Sequence, residues 1–308
     1  MLKVNVLVLN YNGKDLLEEC LPSVIEAKRR SAHSCRVTVI DNNSSDNSPA
    51  FVRENFKDAE LVELKDNKVL CSYNDVVKSL DDEIVILLNN DIKVSGGFVD
   101  AMVSGFMKGD GVFFVASNGD RSVCAIRWGL ITADITYRGC EERMGQEGYA
   151  FSAGIAAFDR KKFLELGGYD DMYLPGRYED VDLCFRGWKR GWKGLYAPAA
   201  LKEHLGGRSF ARSYSWQRTQ AIVFRNGILF MAKNVSDLGL LANFIFSLIL
   251  RLGYFTVSGK WFLIVGFFEA VKRLPVAIRK RKSAQKNAVL KDRDILDLLN
   301  GKVTTEKS

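Results

Sequence analysis

Histidine and cysteine are both scarce in this chain. Its 308 residues include two histidines and six cysteines, and the cysteines lie far apart along the sequence. Their positions have neither the close spacing of a zinc site nor that of a disulfide framework. Scattered cysteines of this kind indicate reduced thiols in a cytosolic compartment, where each serves as a small core residue.

Familiar sequence signals are missing as well. Neither G-x-G-x-x-G nor G-x-x-x-x-G-K-[ST] occurs, which counts against a dinucleotide-binding dehydrogenase and a P-loop enzyme. Residues 2–9 have the pattern of a strand rather than the apolar run and cleavage site of a signal peptide, so we expect no export. Hydrophobic residues make up 47% of the chain, and a disordered protein is therefore not expected.

Long apolar runs without a charge are absent too. In the apolar segment 238–271 the longest such run has 13 residues, at 238–250, whereas a membrane-spanning helix needs about 20. Residues 271–308 contain 11 Lys and Arg against 4 Asp and Glu, which accounts for the whole net charge of +7. We expect an in-plane or re-entrant pair of helices whose basic residues meet anionic lipid. The alternative is that these helices simply pack on the main domain.

The first third of the chain alternates regularly between strand and helix patterns. Residues 4–9 form a continuous apolar run, as expected for a strand buried on both faces of a mainly parallel sheet. Strands are predicted at 36–40, 60–64, 83–88, 112–116, 151–158 and 194–196, and helices at 14–28, 49–55, 74–80, 97–108, 160–166 and 180–190. This order of elements predicts an α/β fold.

Polar residues follow three of these strands at the point where each strand ends. The three clusters are residues 10–12, 41–46 and 89–91, and each is rich in Asn and Asp. In open α/β sheets, ligands bind beyond the carboxyl ends of the strands. The three clusters therefore predict one shared binding site.

A second group of polar residues lies in the stretch 151–206. Glu179, Asp180 and Asp182 precede an amphipathic segment, and His204 follows about one element later. Carboxylates and imidazoles are costly to gather unless they bind or catalyse something. We therefore expect the chemistry of the protein in this stretch.

Asp180 is the candidate general base. Its alternative role is an N-cap for the helix that follows, because aspartate is a favoured cap and negative charge is stabilised at a helix N-terminus. The two roles are compatible. Repulsion from Glu179 and Asp182 is expected to move the pKa of a base towards neutrality.

Asp91 is placed like a carboxylate that holds a divalent ion against a diphosphate. His204 offers a nitrogen ligand, which suits Mn²⁺ somewhat better than Mg²⁺. Alternatively, Asp91 is a turn or cap residue and His204 a hydrogen-bonded histidine at a strand end. The many cations in residues 202–233, among them Arg208 and Arg212, suggest that something anionic binds near the acids.

Together these motifs resemble the family 2 glycosyltransferases with the GT-A fold, particularly the rhamnosyltransferase-like branch. The resemblance covers roughly residues 4–233, and each motif alone is a weak signal. Their order and spacing are specific: Asn10-Tyr11-Asn12, the DNNSSD loop at 41–46, Asn89-Asn90-Asp91 in place of the D-x-D signature, GGYDD at 167–171, EDVDL at 179–183, and His204.

The resemblance implies an inverting transfer that uses Mn²⁺ or Mg²⁺. An acceptor hydroxyl, deprotonated by Asp180, attacks the anomeric carbon of a nucleotide-diphosphate sugar, and a metal on Asp91 and His204 takes up the charge of the leaving diphosphate. Asp41 is expected on the nucleotide base and Asn90 near the ribose. The full donor set is Asn10, Tyr11, Asn12, Asp41, Asn43, Lys68, Asn74, Asn90 and Asp91, and candidates on the acceptor or diphosphate side are Gly154, Glu179, Arg208 and Arg212.

The sequence also departs from the family pattern. The family usually has a glycine-containing turn where residues 68–73 read KVLCSY, which leaves the donor-side contacts open. Asn90 replaces a frequent aspartate, so the metal site carries one charge less. The Q-x-x-R-W pattern of processive members is absent, which favours addition of a single sugar.

We expect residues 1–233 to form the GT-A domain, with a nucleotide-sugar-binding half at 1–117 and an acceptor and catalytic half at 118–233. Residues 234–308 are expected to form a helical, membrane-associating extension with a basic tail. The expected acceptor is a glycan or a lipid-linked glycan of the cell envelope. The expected location is the cytoplasmic face of the cell membrane, and no nucleic-acid partner is expected.

Two rival interpretations come from other functional classes. A sugar-phosphate nucleotidyltransferase would have a glycine-rich, basic loop after the first strand, and residues 9–13 (LNYNG) do not supply one. A catalytically inactive nucleotide-sugar sensor or membrane scaffold is the other alternative.

Overall fold

The computed structural model describes residues 1–109, 111–118, 126–127, 136–137, 148–205 and 214–299. The strands in these ranges are β1 (Lys3–Asn10), β2 (Ser34–Asp41), β3 (Glu60–Glu63), β4 (Ile84–Asn89), β5 (Ile92–Val94), β6 (Val112–Ser117), β7 (Ile126–Arg127), β8 (Thr136–Tyr137), β9 (Gly148–Tyr149), β10 (Ala156–Asp159), β11 (Lys193–Ala197) and β12 (Lys202–His204). The helices are α1 (Lys14–Arg30), α2 (Ser48–Asn55), α3 (Ser72–Ser79), α4 (Phe98–Ser104), α5 (Arg160–Glu165), α6 (Glu179–Lys189), α7 (Trp216–Asn234), α8 (Leu238–Val257), α9 (Trp261–Gln285) and α10 (Asp292–Leu299).

Eight of these strands form the central sheet, in the order β3-β2-β1-β4-β10-β6-β11-β9. β1 pairs in parallel with β2 and β4, β2 with β3, and β6 with β11. β10 is antiparallel to both of its neighbours, β4 and β6. The predicted α/β fold with a mainly parallel sheet is confirmed.

β1 shows why the apolar runs of the sequence are continuous rather than alternating. Val4, Val6 and Val8 pack into one hydrophobic core with residues of α1 and α4. Leu7 lies in the opposite core with residues of α3, α5, α6 and α7. Because helices cover both faces of the sheet, the consecutive residues Val4 to Val8 are all buried.

The strand predicted at 151–158 is wrong over its first five residues, since β10 begins only at Ala156. Phe151 and Ala153 are fully buried, but their backbone leaves the sheet. The indole Nε1 of Trp188 donates to the carbonyls of Ala150 and Phe151 at 3.3 and 3.1 Å. The apolar run therefore indicated burial but not a strand. The backbone carbonyls accept hydrogen bonds from the Trp188 side chain instead of from a neighbouring strand.

The C-terminal helices pack on the sheet-containing part of the chain. α9 crosses α7 closely, because a Cβ on Gly266 would lie 2.6 Å from the carbonyl oxygen of Ala221. α10 is tied to α6 by Lys189 Nζ and Asp292 Oδ1, which lie 2.7 Å apart. The predicted boundary at 233/234 falls one residue before the end of α7 at Asn234, and the division into domains stays a prediction.

α8 differs from the other helices in its exposure. It continues through Arg251 for 20 residues and is the one helix among the described residues that is long and apolar enough to cross a membrane by length and composition. The apolar helix is therefore longer than the 13-residue uncharged run in the sequence indicated. Its large exposed side chains are Leu238, Ile245, Phe246, Ile249, Leu250, Tyr254 and Val257.

Candidate active site

The carboxyl ends of β1, β2 and β4 are joined by a chain of buried polar side chains. Asn90 Nδ2 donates to Asn10 Oδ1 at 2.7 Å, and Asn10 Nδ2 donates to Asp41 Oδ1 at 3.1 Å. All three side chains are at most 5% exposed. The parallel register aligns the strand ends, with Asn10 opposite Asp41. The three polar clusters therefore meet at one edge of the sheet, as expected from their positions.

The turn between β1 and α1 leaves no room for a side chain at Gly13. A Cβ there would lie 2.1 Å from Asn90 Nδ2 and 2.8 Å from Asn10 Oδ1. Asn12 has a φ of +47°, a conformation that asparagine tolerates better than most residues. Its backbone N–H donates to Ser44 Oγ at 2.9 Å, which fixes the turn against the loop after β2. Tyr11 is exposed beside it.

The loop after β2 holds the Asp41 carboxylate in place. Asn43 has a φ of +63°, and the next backbone N–H, that of Ser44, donates to Asp41 Oδ2 at 2.9 Å. Asp41 therefore accepts one hydrogen bond on each oxygen within the protein. A carboxylate has about four acceptor sites, so Asp41 keeps acceptor capacity for a ligand.

Val69 adopts a backbone conformation that favours glycine. Its φ is +52°, in the left-handed region that is strongly disfavoured for a β-branched residue. Its N–H donates to Asn67 Oδ1 at 2.9 Å, and its carbonyl accepts from Asn42 Nδ2 at 3.3 Å. Two hydrogen bonds thus hold a valine in the left-handed conformation of this turn.

Lys68 and Asn74 both have partners within the protein. Lys68 Nζ lies 2.8 Å from Asp75 Oδ2. The side-chain amide of Asn74 accepts from the N–H of Tyr169 at 2.9 Å and donates to its carbonyl at 2.8 Å. Both residues line a cavity of about 500 Å³ between α3 and α9. Their predicted contacts with the donor stay predictions.

Asp91 and His204 meet beside the two-stranded β5–β12 ribbon. In this ribbon His204 lies opposite Ile92, and its Nε2 is 3.1 Å from Asp91 Oδ2. Asp91 is buried, and its second oxygen, Oδ1, has no hydrogen-bond partner. The side chain of His204 is 42% exposed, so the pair opens to solvent on the imidazole side.

This arrangement fits a divalent cation. A buried carboxylate oxygen without a partner is destabilising, and a bound cation would satisfy Asp91 Oδ1. Carboxylate oxygen and imidazole nitrogen are both suitable ligands for Mn²⁺. Over the described ranges no three His, Cys, Asp or Glu side chains gather in a metal-binding group. The chain would therefore supply Asp91 and His204, and diphosphate oxygens or water would complete the shell.

α6 begins at Glu179, so Tyr178 and not Asp180 occupies the N-cap position. Asp180 lies in the first turn of α6, where its Oδ1 accepts from the N–H of Val181 at 2.8 Å. Negative charge is stabilised in this turn by the helix dipole. The alternative role of Asp180 as an N-cap is therefore wrong, although the helix terminus still favours its ionised form.

Glu179 is buried and has an unusual protonation state. Burial first, and the neighbouring charge of Asp180 second, raise the pKa of Glu179 to about 8. Its Oε2 is buried and makes no hydrogen bond. Glu179 is therefore protonated at neutral pH, so it does not add the negative charge beside Asp180 that the sequence suggested.

Asp182 points away from the site into a buried network. It accepts from Lys233 Nζ at 2.7 Å, Arg186 Nε at 2.7 Å and Tyr173 Oη at 2.8 Å. Burial opposes its ionisation, but Arg186 and Lys233 outweigh burial and lower the pKa of Asp182. Asp182 therefore anchors α6.

Asp91 and Asp180 each act electrostatically on one of two neighbouring tyrosines. The rings of Tyr73 and Tyr169 have centroids 6.2 Å apart. Burial raises the pKa of both phenols, and the charge of Asp91 adds to the effect on Tyr73 while that of Asp180 adds to the effect on Tyr169. Each carboxylate therefore lies within electrostatic reach of one tyrosine of this pair.

Three of the cations in residues 202–233 bind groups within the protein instead of the predicted anion. Arg218 binds Glu269, Arg225 binds backbone carbonyls, and Lys233 binds Asp170 and Asp182. Arg218 and Lys233 thus neutralise acids of the fold, and Arg225 satisfies backbone carbonyls. Arg208 and Arg212 lie outside the described residues. Gly154 precedes β10 in the buried stretch that leaves the sheet.

Sequence patterns gave no role to Tyr73 and Asn226, and suggested anion binding rather than a buried structural role for Arg225. Arg225 and Asn226 are at most 1% exposed, and charged residues are rarely buried so deeply without a partner. Their positions between apolar residues of an amphipathic helix were the available signal.

Residues 5–167, more than half of the chain, match Glycosyl transferase family 2. The chain belongs to this family. The match contains the strand ends with Asn10, Asp41 and Asn90 and stops at the turn before Asp170. It therefore ends ahead of the α6 carboxylates.

Solved structures similar to this glycosyltransferase have the GT-A fold. TarS residues 1–349 of S. aureus, in complex with UDP-GlcNAc, is 14% identical with a TM-score of 0.57, covering 99% of this chain and 93% of that one. The mannosyltransferase PcManGT of Pyrobaculum calidifontis, with GDP-Man and Mn²⁺, is 16% identical with a TM-score of 0.55, covering 98% and 86%. GalNAc-T7 with UDP, GalNAc and Mn²⁺ is 14% identical with a TM-score of 0.57, covering 77% and 49%.

A curated relative matches over a shorter range. The putative polypeptide N-acetylgalactosaminyltransferase 10 of Drosophila melanogaster is 38% identical over 56 residues, which is 18% of this chain and 9% of the relative. The chain thus spans less than a tenth of that relative's length. At these identities, the solved structures establish the GT-A fold of the chain.

Proposed function

We propose that this glycosyltransferase transfers one hexosyl or deoxyhexosyl unit from a nucleoside-diphosphate sugar to a hydroxyl of a glycan or lipid-linked glycan, with inversion at the anomeric carbon. The observation that carries the proposal is the Asp91–His204 pair, which directly follows Asn90 of the polar strand-end edge and leaves Asp91 Oδ1 buried without a hydrogen-bond partner. The UDP-GlcNAc and GDP-Man in the similar structures support a nucleotide-sugar donor.

On the donor side, we assign the nucleotide to the edge formed by Asn10, Asp41 and Asn90. Asp41 accepts hydrogen bonds from the base with its remaining lone pairs, and Asn90 lies near the ribose. Tyr11, Asn12 and Asn43 belong to the two turns beside this edge. The internal contacts of Lys68 and Asn74 favour a supporting role, in which they shape the turn and the loop at the nucleotide.

A Mn²⁺ or Mg²⁺ ion on Asp91 and His204 would supply positive charge against the diphosphate as it leaves. The Mn²⁺ in two of the similar structures supports a divalent ion. Asp91 contributes a buried, preorganised carboxylate, and β12 orients the imidazole. Both ligands are fixed by backbone pairing, so little reorganisation accompanies the reaction.

Asp180 accepts the proton of the acceptor hydroxyl. The hydroxyl oxygen forms its bond to the anomeric carbon while the bond from that carbon to the diphosphate oxygen breaks. Glu179 is protonated at neutral pH, because burial and Asp180 raise its pKa to about 8, and a neutral carboxyl is a poor nucleophile. A single base without a carboxylate nucleophile beside it favours one direct displacement, which inverts the anomeric centre.

Replacing Asp180 by Asn tests this assignment. We expect Asp180→Asn to lose transfer while it keeps nucleotide affinity, because the amide cannot accept the proton. Asp81→Asn is the matched control, since Asp81 is 73% exposed and pairs with Lys3. Unchanged turnover in Asp180→Asn would refute the base, and product of retained configuration, read by NMR, would refute the direct displacement.

A donor screen tests the activity itself. Release of nucleoside diphosphate is measured with UDP-, GDP- and dTDP-sugars, with and without Mn²⁺, in the presence of glycan or lipid-linked acceptors. We expect Mn²⁺-dependent release of one equivalent per acceptor, because the processive signature is absent. Tight donor binding without release under any condition would instead support the inactive sensor.

We also propose that the protein is held peripherally at the cytoplasmic face of the cell membrane by α8 and α9. The exposed apolar side chains of α8 continue on α9 with Trp261, Val265, Phe268 and Val271. Exposed cations follow on α9 and just after it, at Lys272, Arg279, Lys282 and Lys286. Exposed apolar side chains that are followed along the chain by exposed basic ones complement an anionic bilayer. An apolar patch of this extent is unusual on a protein without a partner.

Three of the basic residues predicted to meet lipid bind the protein instead. Arg273 donates to the carbonyls of Met172 and Leu174, Lys280 pairs with Asp170 and Asp171, and Arg281 donates to the carbonyls of Ala232 and Val235. The electrostatic attraction to lipid is therefore smaller than the sequence count suggests.

Vesicle flotation tests the membrane proposal. We expect binding to phosphatidylglycerol-rich vesicles that weakens with salt, and loss of binding in the double variant Phe246→Asp/Ile249→Asp. Met107→Asp, at a residue that is 71% exposed far from α8 in the sequence, is the control. Equal flotation of the double variant and the wild type would refute the proposal, and a concentration-dependent dimer that hides α8 would identify a second copy as the partner.

A further inference from the structure

The backbone just before the candidate base is held in a rarely occupied conformation. Gly176, Arg177 and Tyr178 have φ angles of +145°, +73° and +79°, so two consecutive residues that are not glycine lie in the left-handed region. Such residues are destabilising and persist only where the surrounding structure holds them. Tyr178 is followed directly by Glu179 and Asp180, so this segment decides where α6 begins.

Asn226, in the middle of α7, binds the backbone of this segment through its side-chain amide. Its Nδ2 lies 2.9 Å from the carbonyl oxygen of Tyr173, 2.8 Å from that of Gly176 and 2.7 Å from that of Arg177. Asn226 is fully buried, and its Oδ1 accepts from Arg225 Nε at 2.9 Å. One side-chain amide thus satisfies the carbonyls on both sides of the turn and is itself oriented by its neighbour.

Two arginines complete the contacts. Arg225 Nη2 donates to the Leu174 carbonyl at 2.8 Å, and Arg273 Nη1 donates to the carbonyls of Met172 and Leu174 at 3.0 and 3.1 Å. Arg225 is 1% exposed, so its contacts are shielded from competing water. Carbonyls that are buried in a loop need partners, and here α7 and α9 provide them.

α7 also contacts the residue at the N-cap of α6. The rings of Tyr178 and Phe230 have centroids 5.8 Å apart. A Cβ added to Gly227 would lie 3.1 Å from Tyr178 Oη, so the tyrosine lies directly against the helix backbone. The position of Tyr178 is therefore set by α7 rather than by its own local preference.

We propose that Arg225, Asn226 and Arg273 are positioning residues for Asp180, which fix the start of α6 and so direct its carboxylate at the acceptor hydroxyl. This inference rests on the proposed role of Asp180 as base. The C-terminal helices are then part of the catalytic unit, because α7 and α9 hold residues 176–178, which directly precede Glu179 and Asp180.

Arg273→Ala is the main test, because Arg273 is half-buried on α9 and its removal leaves the core intact. We expect kcat to fall by about 10- to 100-fold, as misplacement of a reacting group by about 1 Å suffices for such a loss. The KM for the donor stays within about twofold, since the donor edge lies on other elements. Arg273→Lys keeps one donor and recovers part of the lost kcat.

Two controls separate positioning from general destabilisation. Arg293→Ala removes an exposed arginine of α10 that pairs with Asp237 and leaves kcat unchanged. Val24→Ala creates a cavity in the opposite core, where Val24 is 2% exposed, and lowers the melting temperature without lowering kcat at temperatures well below unfolding. Asn226→Asp, which keeps the shape but removes the donor group, is measured where it folds, and we expect it to lose kcat like Arg273→Ala.

The outcomes are distinguishable from failure of the proposed function. If Asp180→Asn is inactive while Arg273→Ala has the kcat of Val24→Ala, the positioning role is wrong and the base stands. If Asp180→Asn keeps full turnover, the base itself is wrong. A rise in donor KM with unchanged kcat in Arg273→Ala would also overturn the inference, because the segment would then serve donor binding.

Discussion

Asp91 Oδ2 and His204 Nε2 lie 3.1 Å apart although 113 positions separate the two residues in the sequence. Asp91 follows the central strand β4, and His204 ends β12, which folds back along β5. The pairing leaves Asp91 Oδ1 buried without a hydrogen bond. A carboxylate that was only a partner for histidine would be expected to satisfy both oxygens, so the geometry favours a third participant.

Removing the imidazole should therefore weaken metal binding. We expect His204→Ala to lower the affinity for Mn²⁺ in the presence of UDP or GDP by at least about 10-fold, the lower range for loss of groups around a bound metal. Titration calorimetry or Mn²⁺ EPR measures the affinity without turnover. His33→Ala is the control. His33 is the chain's other histidine, and it accepts from the N–H of Leu2 rather than pairing with Asp91. Equal affinities in the two variants would contradict the ligand role.

Glu179 should make stability depend on pH. Its pKa is raised from 4.5 to about 8 in the folded protein, so between these values the unfolded chain releases a proton that the folded protein keeps. The free energy of unfolding then falls as pH rises, by at most about 1.4 kcal/mol per pH unit, and is level above pH 8.

Glu179→Gln tests this dependence because glutamine keeps the neutral shape. We expect the variant to be more stable than the wild type at pH 8 and similar to it at pH 4.5, as measured by urea denaturation. Glu165→Gln is the control, since Glu165 is 51% exposed. Parallel stability curves for wild type and Glu179→Gln across this range would show that Glu179 is ionised in the fold.

The buried pair of Lys233 and Asp182 should be costly to break from one side. Lys233 Nζ lies 2.7 Å from both Asp182 Oδ1 and Asp170 Oδ2. We expect Lys233→Met to lower the free energy of unfolding by about 3–5 kcal/mol, because it leaves buried carboxylates uncompensated. Lys3→Met, at an exposed lysine that pairs with Asp81, should change it by less than about 0.5 kcal/mol. Similar effects of the two substitutions would contradict the network.

The same network should respond to acid. Lys233 and Lys280 outweigh burial and hold the pKa of Asp170 well below its ordinary value of 3.8. A depressed folded pKa contributes stability above the ordinary value, and that stability is lost as pH falls through the depressed one. We expect the stability difference between wild type and Asp170→Asn to shrink below pH 3.8 in urea denaturation at several pH values. A difference independent of pH would show that Asp170 is not ionised in the fold.

Val69 should reverse the usual ranking of alanine and glycine. Because its φ is +52°, we expect Val69→Gly to be more stable than Val69→Ala by about 1 kcal/mol. At Ala101, inside α4, substitution by glycine should instead destabilise by about 0.5–1 kcal/mol. Urea denaturation of the three variants measures both differences. A more stable Val69→Ala would mean that the turn does not have the left-handed conformation.

The alternation of strands and helices was predictable because it depends on local residue patterns. Helix α1 begins at Lys14, as predicted, and ends at Arg30, two residues beyond the prediction. The convergence of Asn10, Asp41 and Asn90 also followed from sequence, since parallel strands end at one edge of a sheet.

Partners of buried charges were not predictable in this way. In the sequence, Lys233 and Arg225 suggested anion binding and Arg273 suggested lipid contact. In the fold, Lys233 neutralises Asp170 and Asp182, and the two arginines hold the segment before α6. The departure of Phe151 from the sheet was equally hidden, because its substitute partner is the indole of Trp188. Each of these contacts depends on distances across the fold.

By itself, the sequence determined that this chain is an α/β protein with polar groups at three strand ends, because hydrophobic periodicity and turn residues act over a few neighbouring positions. Only the tertiary structure decided that Asp91 faces His204, that Glu179 is neutral, and that α7 and α9 hold the backbone before Asp180. Those features arise from burial and from contacts between distant residues. Solvation and Coulomb interactions follow distance in space rather than separation along the chain.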